Sequence, residues 1–236
     1  MQHLPYGGTP AATPSGPGSG SPPVETGPDA LLARARALRD RPGRAFLGLA
    51  GAPASGKSTL AALLAAELGP RACLLPMDGF HLADSVLVAL GRRDRKGAPD
   101  TFDAAGFAAL LDRLRNGDGA AGETVYAPRF HRDVEDSVAG EIVIGPEVEL
   151  VVAEGNYLLL PEGPWARVRP LLDESWYVEP DEELRLRRLV ARHVEFGKSP
   201  EDAHAWAHGS DQANAAVIAA TRARADLVVR LAPGPG

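Results

Sequence analysis

The chain has 236 residues, 44% of them apolar, a formal net charge of −6 and a single cysteine. That length can bury a full core as one α/β domain with a small excursion. The acidic balance argues against a nucleic-acid binder working through bulk electrostatics, and the lone Cys73 excludes an internal disulfide or a cysteine-based zinc cluster. There is no run of eighteen apolar residues and no apolar segment near the N-terminus, so neither a membrane span nor a signal peptide is expected, and the cytoplasm is the expected location.

Met1 to about Pro28 is rich in Pro, Gly, Ser and Thr, buries too little apolar surface to offset its ordering entropy, and is expected to be a disordered tail. Pro233 to Gly236 is expected to fray in the same way. Residues 29–232 then alternate as a parallel sheet with crossover helices does. A helix over Ala30–Asp40 carries Leu31, Leu32, Ala35 and Leu38 at helical spacing. Strands are expected over Arg44–Ala50, Ala72–Met77, Leu150–Ala153, Ser175–Val178 and Asp226–Leu231, whose near-continuous apolar content fits burial on both faces. Helices are expected over Ser58–Leu68, Asp103–Arg115, Asp181–Val194 and Pro200–Thr221, with short extra strands over Glu123–Tyr126 and Glu141–Ile144.

Between the first of these strands and its helix lies Gly51-Ala52-Pro-Ala-Ser55-Gly56-Lys57-Ser58-Thr59, which fits G-x-x-x-x-G-K-[ST]. Glycines let backbone N–H groups converge on phosphate oxygens, and the helix N-terminus adds its positive dipole end. Lys57 reaches the terminal phosphates, and the Ser58 hydroxyl ligates Mg²⁺. The context that this motif demands, a strand before and a helix after, is present.

Two strand ends supply acids. Asp78 closes the second strand, one loop from the phosphate cradle, where a carboxylate can accept or orient the proton of an attacking hydroxyl. Glu154 ends the strand Leu150–Ala153 and would hold Mg²⁺ beside Ser58. Arg185, Arg188 and Arg192 follow one another at spacings of three and four on one helix, so their guanidinium groups form a stripe able to neutralise a transferring phosphoryl group. Arg192, nearest Gly197, is the preferred contact, and residues 185–205 are the expected lid. Tyr126-Ala-Pro-Arg-Phe-His-Arg132 combines rings and cations in an expected loop, with Tyr126 and Arg132 as candidate substrate contacts. Arg95 and Lys96 are candidates in a second basic loop.

The segments Gly51–Thr59, Met77-Asp78-Gly-Phe-His81 and Glu154-Gly-Asn156-Tyr157 resemble those of the small-molecule kinases that include uridine kinase, phosphoribulokinase and bacterial pantothenate kinase. Arg95–Asp103 is similar to the basic loop of the pantothenate kinases. Trp206, Asn214, Ile218 and Thr221–Leu227 are similar to their carboxyl-terminal helix and last strand, and Arg188–Gly197 to the lid of uridine kinases. His193 and Phe196 stand where uridine kinases carry an aspartate and a second arginine. The resemblance implies a P-loop NTPase three-layer α/β/α sandwich with a mostly parallel sheet and a small helical lid. It implies ATP and Mg²⁺ as cofactors, and a nucleoside-like, sugar-like or pantothenate acceptor that contacts His81, Asn156 and Asn214. Partners are then a small alcohol rather than nucleic acid or membrane, with the chain alone or as a homodimer.

Other nucleotide-binding classes fit less well. The only lysines are Lys57, Lys96 and Lys198, and none follows asparagine, so the guanine reader of a GTPase is missing. No transporter-ATPase signature loop is present, and Ser58 stands where an adenylate kinase carries glycine. A non-catalytic nucleotide-binding module is the remaining alternative, and it has no need of Asp78.

Overall fold

The computed structural model describes residues 24–25, 27–117 and 119–230. Most of the expected tail, the C-terminal Pro233–Gly236 and Leu231 of the expected last strand lie outside them. The strands are β1 (Val24–Glu25), β2 (Ala45–Ala50), β3 (Ala72–Pro76), β4 (Val125–His131), β5 (Asp136–Ile144), β6 (Leu150–Gly155), β7 (Glu174–Val178) and β8 (Leu227–Val229). The helices are α1 (Pro28–Arg39), α2 (Lys57–Leu68), α3 (Asp84–Ala89), α4 (Ala104–Asn116), α5 (Glu182–Glu195), α6 (Pro200–His208) and α7 (Ser210–Ala219).

Six strands form one sheet in the order β1-β8-β7-β2-β6-β3, with every pairing parallel. β2 sits in its middle and is buried along its whole length. Strand alternation sends its side chains to two separate cores. Phe46 and Ala50 join Val151, Ala153 and Tyr177 against Phe107 and Leu111 of α4. Ala45, Leu47 and Leu49 join Val152, Trp176 and Val178 against Leu31 and Leu38 of α1 and Leu60 and Leu64 of α2. Two buried layers on one sheet make the expected three-layer sandwich.

Three local expectations are corrected. Val24 and Glu25, within the expected tail, pair with Val228 and Val229 and extend the sheet edge. Tyr126–Arg132 is not a loop: through His131 it is β4, paired antiparallel with β5 in a two-stranded ribbon longer than the two short strands expected there. The expected helix over Pro200–Thr221 is two helices. Gly209 ends α6, and a Cβ there would meet the Ala205 carbonyl oxygen at 2.7 Å.

Candidate active site

The loop after β2 enters α2 through Gly56, which has φ of 98° as the helix N-cap, a left-handed conformation suited to glycine. At Gly51 a Cβ would lie 2.7 Å from the Val178 carbonyl oxygen and 2.9 Å from Ser55 Oγ, so the start of the loop is closed to any side chain. Ser55 Oγ is buried without a hydrogen-bond partner, one of two such side-chain atoms among the described residues. Buried hydroxyls are rarely left unpaired. An orphan hydroxyl in a loop that opens a helix N-terminus fits a phosphate oxygen as its missing partner.

Lys57 is buried, its Nζ donating to the Ala52 carbonyl at 3.0 Å and lying 3.8 Å from Glu154 Oε1. Burial pushes the ammonium down from its ordinary pKa, against the upward pull of Glu154 and Asp78. Burial likewise pushes the Glu154 carboxyl up, while Lys57 and a hydrogen bond with the Ser58 side chain hold it back. The Glu154 carboxylate and the Ser58 hydroxyl beside it are oxygen donors fit for a phosphate-bound Mg²⁺, with the Lys57 ammonium placed for the phosphate itself. No group of three or more metal-ligating His, Cys, Asp or Glu side chains exists among the described residues, so a metal here would depend on phosphate and water for its remaining ligands.

Asp78 lies in the 3₁₀ turn Met77–Phe80 that follows β3. Gly79 in this turn packs so closely on β4 that a Cβ would sit 2.3 Å from the Pro128 carbonyl oxygen. That close approach brings Arg132, just past β4, to Asp78, with Nη2 to Oδ2 at 3.1 Å. His81 Nδ1 lies 2.8 Å from the Asp78 carbonyl oxygen, and its ring lies between those of Phe102 (4.0 Å) and Phe130 (4.6 Å).

These groups surround one cleft of about 780 Å³, lined at one end by Ser55, Gly56, Lys57, Ser58 and Thr59 and elsewhere by Asp78, His81, Lys96, Arg132, Glu154, Asn156 and Asn214. Arg188 and Arg192 of α5 also reach it. Burial, then Arg132, lowers the pKa of Arg192, while Asp211, Asp78 and Glu154 draw it up. Gly51 and Ala52 form the base of the phosphate loop rather than the wall of the cleft. Arg185 lines the cleft with Arg188 and Arg192, as the stripe predicts, but its guanidinium is already committed within the protein. It is fully buried and donates to Glu182 at 2.6 Å, to Gln212 of α7 at 2.5 Å and to the Pro53 carbonyl of the phosphate loop at 3.4 Å.

Two expected substrate contacts are not brought to the cleft. Arg95 points outward into a bidentate pair with Asp100, both bonds 2.6 Å long. Tyr126 is exposed opposite Val143 on the outer face of the ribbon, because strand alternation turns Val125 and Ala127 inward instead. The cleft also has walls that sequence reasoning missed: Phe102, Phe130 and Glu135, and the His193–Asp211 pair (2.6 Å) that ties α5 to α7. The signal for Phe130 was the ribbon itself, masked by Pro128.

A phosphate cradle at the centre of a parallel sheet, with an acid at the end of a neighbouring strand, defines a P-loop kinase. The chain belongs to the Phosphoribulokinase / Uridine kinase family, whose model matches residues 46–234. It is 41% identical over 133 residues to the "ATP-dependent kinase-like protein notR'" of Aspergillus versicolor, covering 55% of this chain and 77% of that one. It is 31% identical over 213 residues to the "Putative uridine kinase C227.14" of Schizosaccharomyces pombe, covering 86% and 89%. Among solved structures, the "putative fructose transport system kinase" of Silicibacter sp. TM1040 superposes with a TM-score of 0.77 at 38% identity, covering 86% of this chain and 99% of that one.

Proposed function

We propose that this kinase transfers the γ-phosphoryl group of ATP to a hydroxyl of a small metabolite, nucleoside-like or sugar-like. The observation that carries the reading is that Asp78 and the phosphate loop face the same cleft. The loop N–H groups, Lys57 and the Ser55 hydroxyl bind the polyphosphate. Ser58 and Glu154 hold Mg²⁺, which when bound neutralises phosphate charge and fixes the reacting geometry. Asp78 Oδ2 is engaged by Arg132, which leaves Oδ1 to accept or orient the proton of the incoming hydroxyl. Arg192, with Arg188 beside it, supplies positive charge over the group in transfer. Relatives named for uridine and for fructose transport favour a nucleoside-like or sugar-like acceptor, and pantothenate, also phosphorylated on a hydroxyl, is the second reading.

The test is ADP release by the purified protein with MgATP and a panel of nucleosides, free sugars and pantothenate. Turnover with one acceptor class, abolished in Asp78→Asn, is expected. ATP binding with no acceptor-dependent turnover across the panel would support the non-catalytic module instead.

A further inference from the structure

We infer that the acceptor is an uncharged, hydroxyl-rich molecule and that this chain discriminates against acceptors bearing a carboxylate or phosphate. The inference rests on the kinase reading above and concerns the charge of the acceptor end of the same cleft.

Arg132, Arg93 and Lys96, which line that end, already have carboxylates within the protein. Arg132 pairs with Asp78 (3.1 Å), Arg93 with Asp84 (2.7 Å), and Lys96 with Asp84 (2.7 Å) and Glu135 (3.4 Å). Lys96 is the most committed. Its side chain is 7% exposed, its ammonium also donates to the Glu135 carbonyl at 2.7 Å, and it lies 5.2 Å from the centre of the Phe130 ring. Three cations face three carboxylates, so the net formal charge is zero. The Asp84 carboxyl is held below its ordinary range: burial alone would raise it, but the hydrogen bonds from Lys96 and Arg93 outweigh that.

The opposite end differs. Arg188 and Arg192 line the cleft beside the phosphate loop with no ion pair among the described residues. Arg192 also feels Arg132 and Asp78, so this open positive charge lies over the junction at which the phosphoryl group is transferred. An anionic group on the acceptor would compete with the carboxylates of Asp78, Asp84 and Glu135, and at the nearly buried Lys96 it would leave a displaced carboxylate without its partner, a costly exchange.

What the acceptor end offers instead is hydrogen-bond acceptance. A carbonyl oxygen can only accept, so His81 Nδ1 carries the proton in its bond to Asp78. Burial also favours the neutral imidazole. Nε2 is then a lone-pair acceptor on a ring that lines the cleft beside Asp78, suited to a second hydroxyl of the molecule being phosphorylated. A polyol satisfies such a site, whereas a carboxylate or phosphate presents it with another acceptor.

The experiment is a comparison of kcat/KM under saturating MgATP for matched pairs: a free hexose with its phosphate ester and its aldonic acid, and a nucleoside with its monophosphate, with pantothenate alongside. The neutral member of a pair is expected to be favoured at least about tenfold, and the hexose and nucleoside arms identify the source of the polyol. In Asp84→Asn and in Glu135→Gln, each of which releases cationic charge, the anionic-to-neutral ratio is expected to rise about tenfold while the KM for ATP stays within about twofold. His81→Phe should raise the acceptor KM more than that of ATP. An anionic acceptor preferred by the unaltered protein overturns the inference and leaves the kinase reading standing. An unchanged ratio in both charge variants also overturns it. Turnover of no acceptor in either class removes the kinase reading, and this inference with it.

Discussion

Asp78 and Lys57 line one cleft but serve different events, so their substitutions should separate. Asp78→Asn keeps the size of the side chain and a polar partner for Arg132 while removing the proton acceptor. Turnover should fall by about 10²–10⁴-fold, the usual range for a positioned general base, with MgATP affinity within a few-fold of the parent, as read by isothermal calorimetry. A fall under tenfold would take Asp78 out of proton transfer and leave it a partner of Arg132. Lys57→Ala should instead weaken nucleotide binding and turnover together, because the buried ammonium sits between the Ala52 carbonyl and Glu154, in the cradle itself. His81 predicts a pH effect. Burial depresses its pKa in the folded chain below the ordinary 6.5, so below that value the unfolded chain takes up the proton first. Its contribution to stability is present above about pH 6.5 and is lost as pH falls toward the folded value. The urea midpoint of the unaltered chain should therefore drop more between pH 7 and pH 5.5 than that of His81→Gln. Equal drops would mean that His81 is not held neutral. Comparing the two proteins also cancels Glu154, whose raised pKa acts in the opposite direction.

At the scale of elements, the β4–β5 ribbon seats Arg132 and Phe130 against the turn bearing Asp78, and Gly79 sets that contact. Gly79→Ala forces a Cβ to within 2.3 Å of the Pro128 carbonyl, a backbone atom that cannot rotate away. The expected cost is about 1–3 kcal/mol of stability, read by denaturant unfolding, together with a raised acceptor KM as Arg132 withdraws. Unchanged values for both would show that the ribbon is free to shift. This ribbon was also the least legible part of the chain. The phosphate loop, Asp78 and Glu154 could be read because each depends on local chemistry at the end of an apolar strand. β4 could not, because Pro128 removes a ladder donor and interrupts the pattern of a strand. The structure accommodates it where the register shifts between Ala127 and Arg129. The break at Gly209 was hidden for a related reason. Alanines on both sides continue the helical pattern, and only the His208-Gly-Ser210 step marks the change of direction. Arg185 illustrates a different limit: spacing placed it on one stripe with Arg188 and Arg192, but its partner Gln212 is 27 residues away and only tertiary packing brings it near.

Across the whole molecule, the cleft draws its walls from distant parts of the chain. β2 leads into the phosphate loop, β3 and β6 end in acids, and α5 and α7 close the side, joined by Arg185–Gln212 and His193–Asp211. A nucleotide bound there contacts segments from residue 53 to beyond residue 190, so binding should report on the stability of the entire fold. At a MgATP concentration of about 100 times its dissociation constant, linkage supplies about 2.7 kcal/mol. In a domain of this size each kcal/mol raises the melting temperature by about 2–4 °C, giving an expected rise of about 5–10 °C. Lys57→Ala should lose most of that rise at the same concentration, and ATP with chelator should give a smaller one, because Ser58 and Glu154 would then lack the ion between them and the phosphates. If ATP alone raises the melting temperature as much as MgATP does, Glu154 is not a metal-site residue, and its buried charge serves only to hold Lys57.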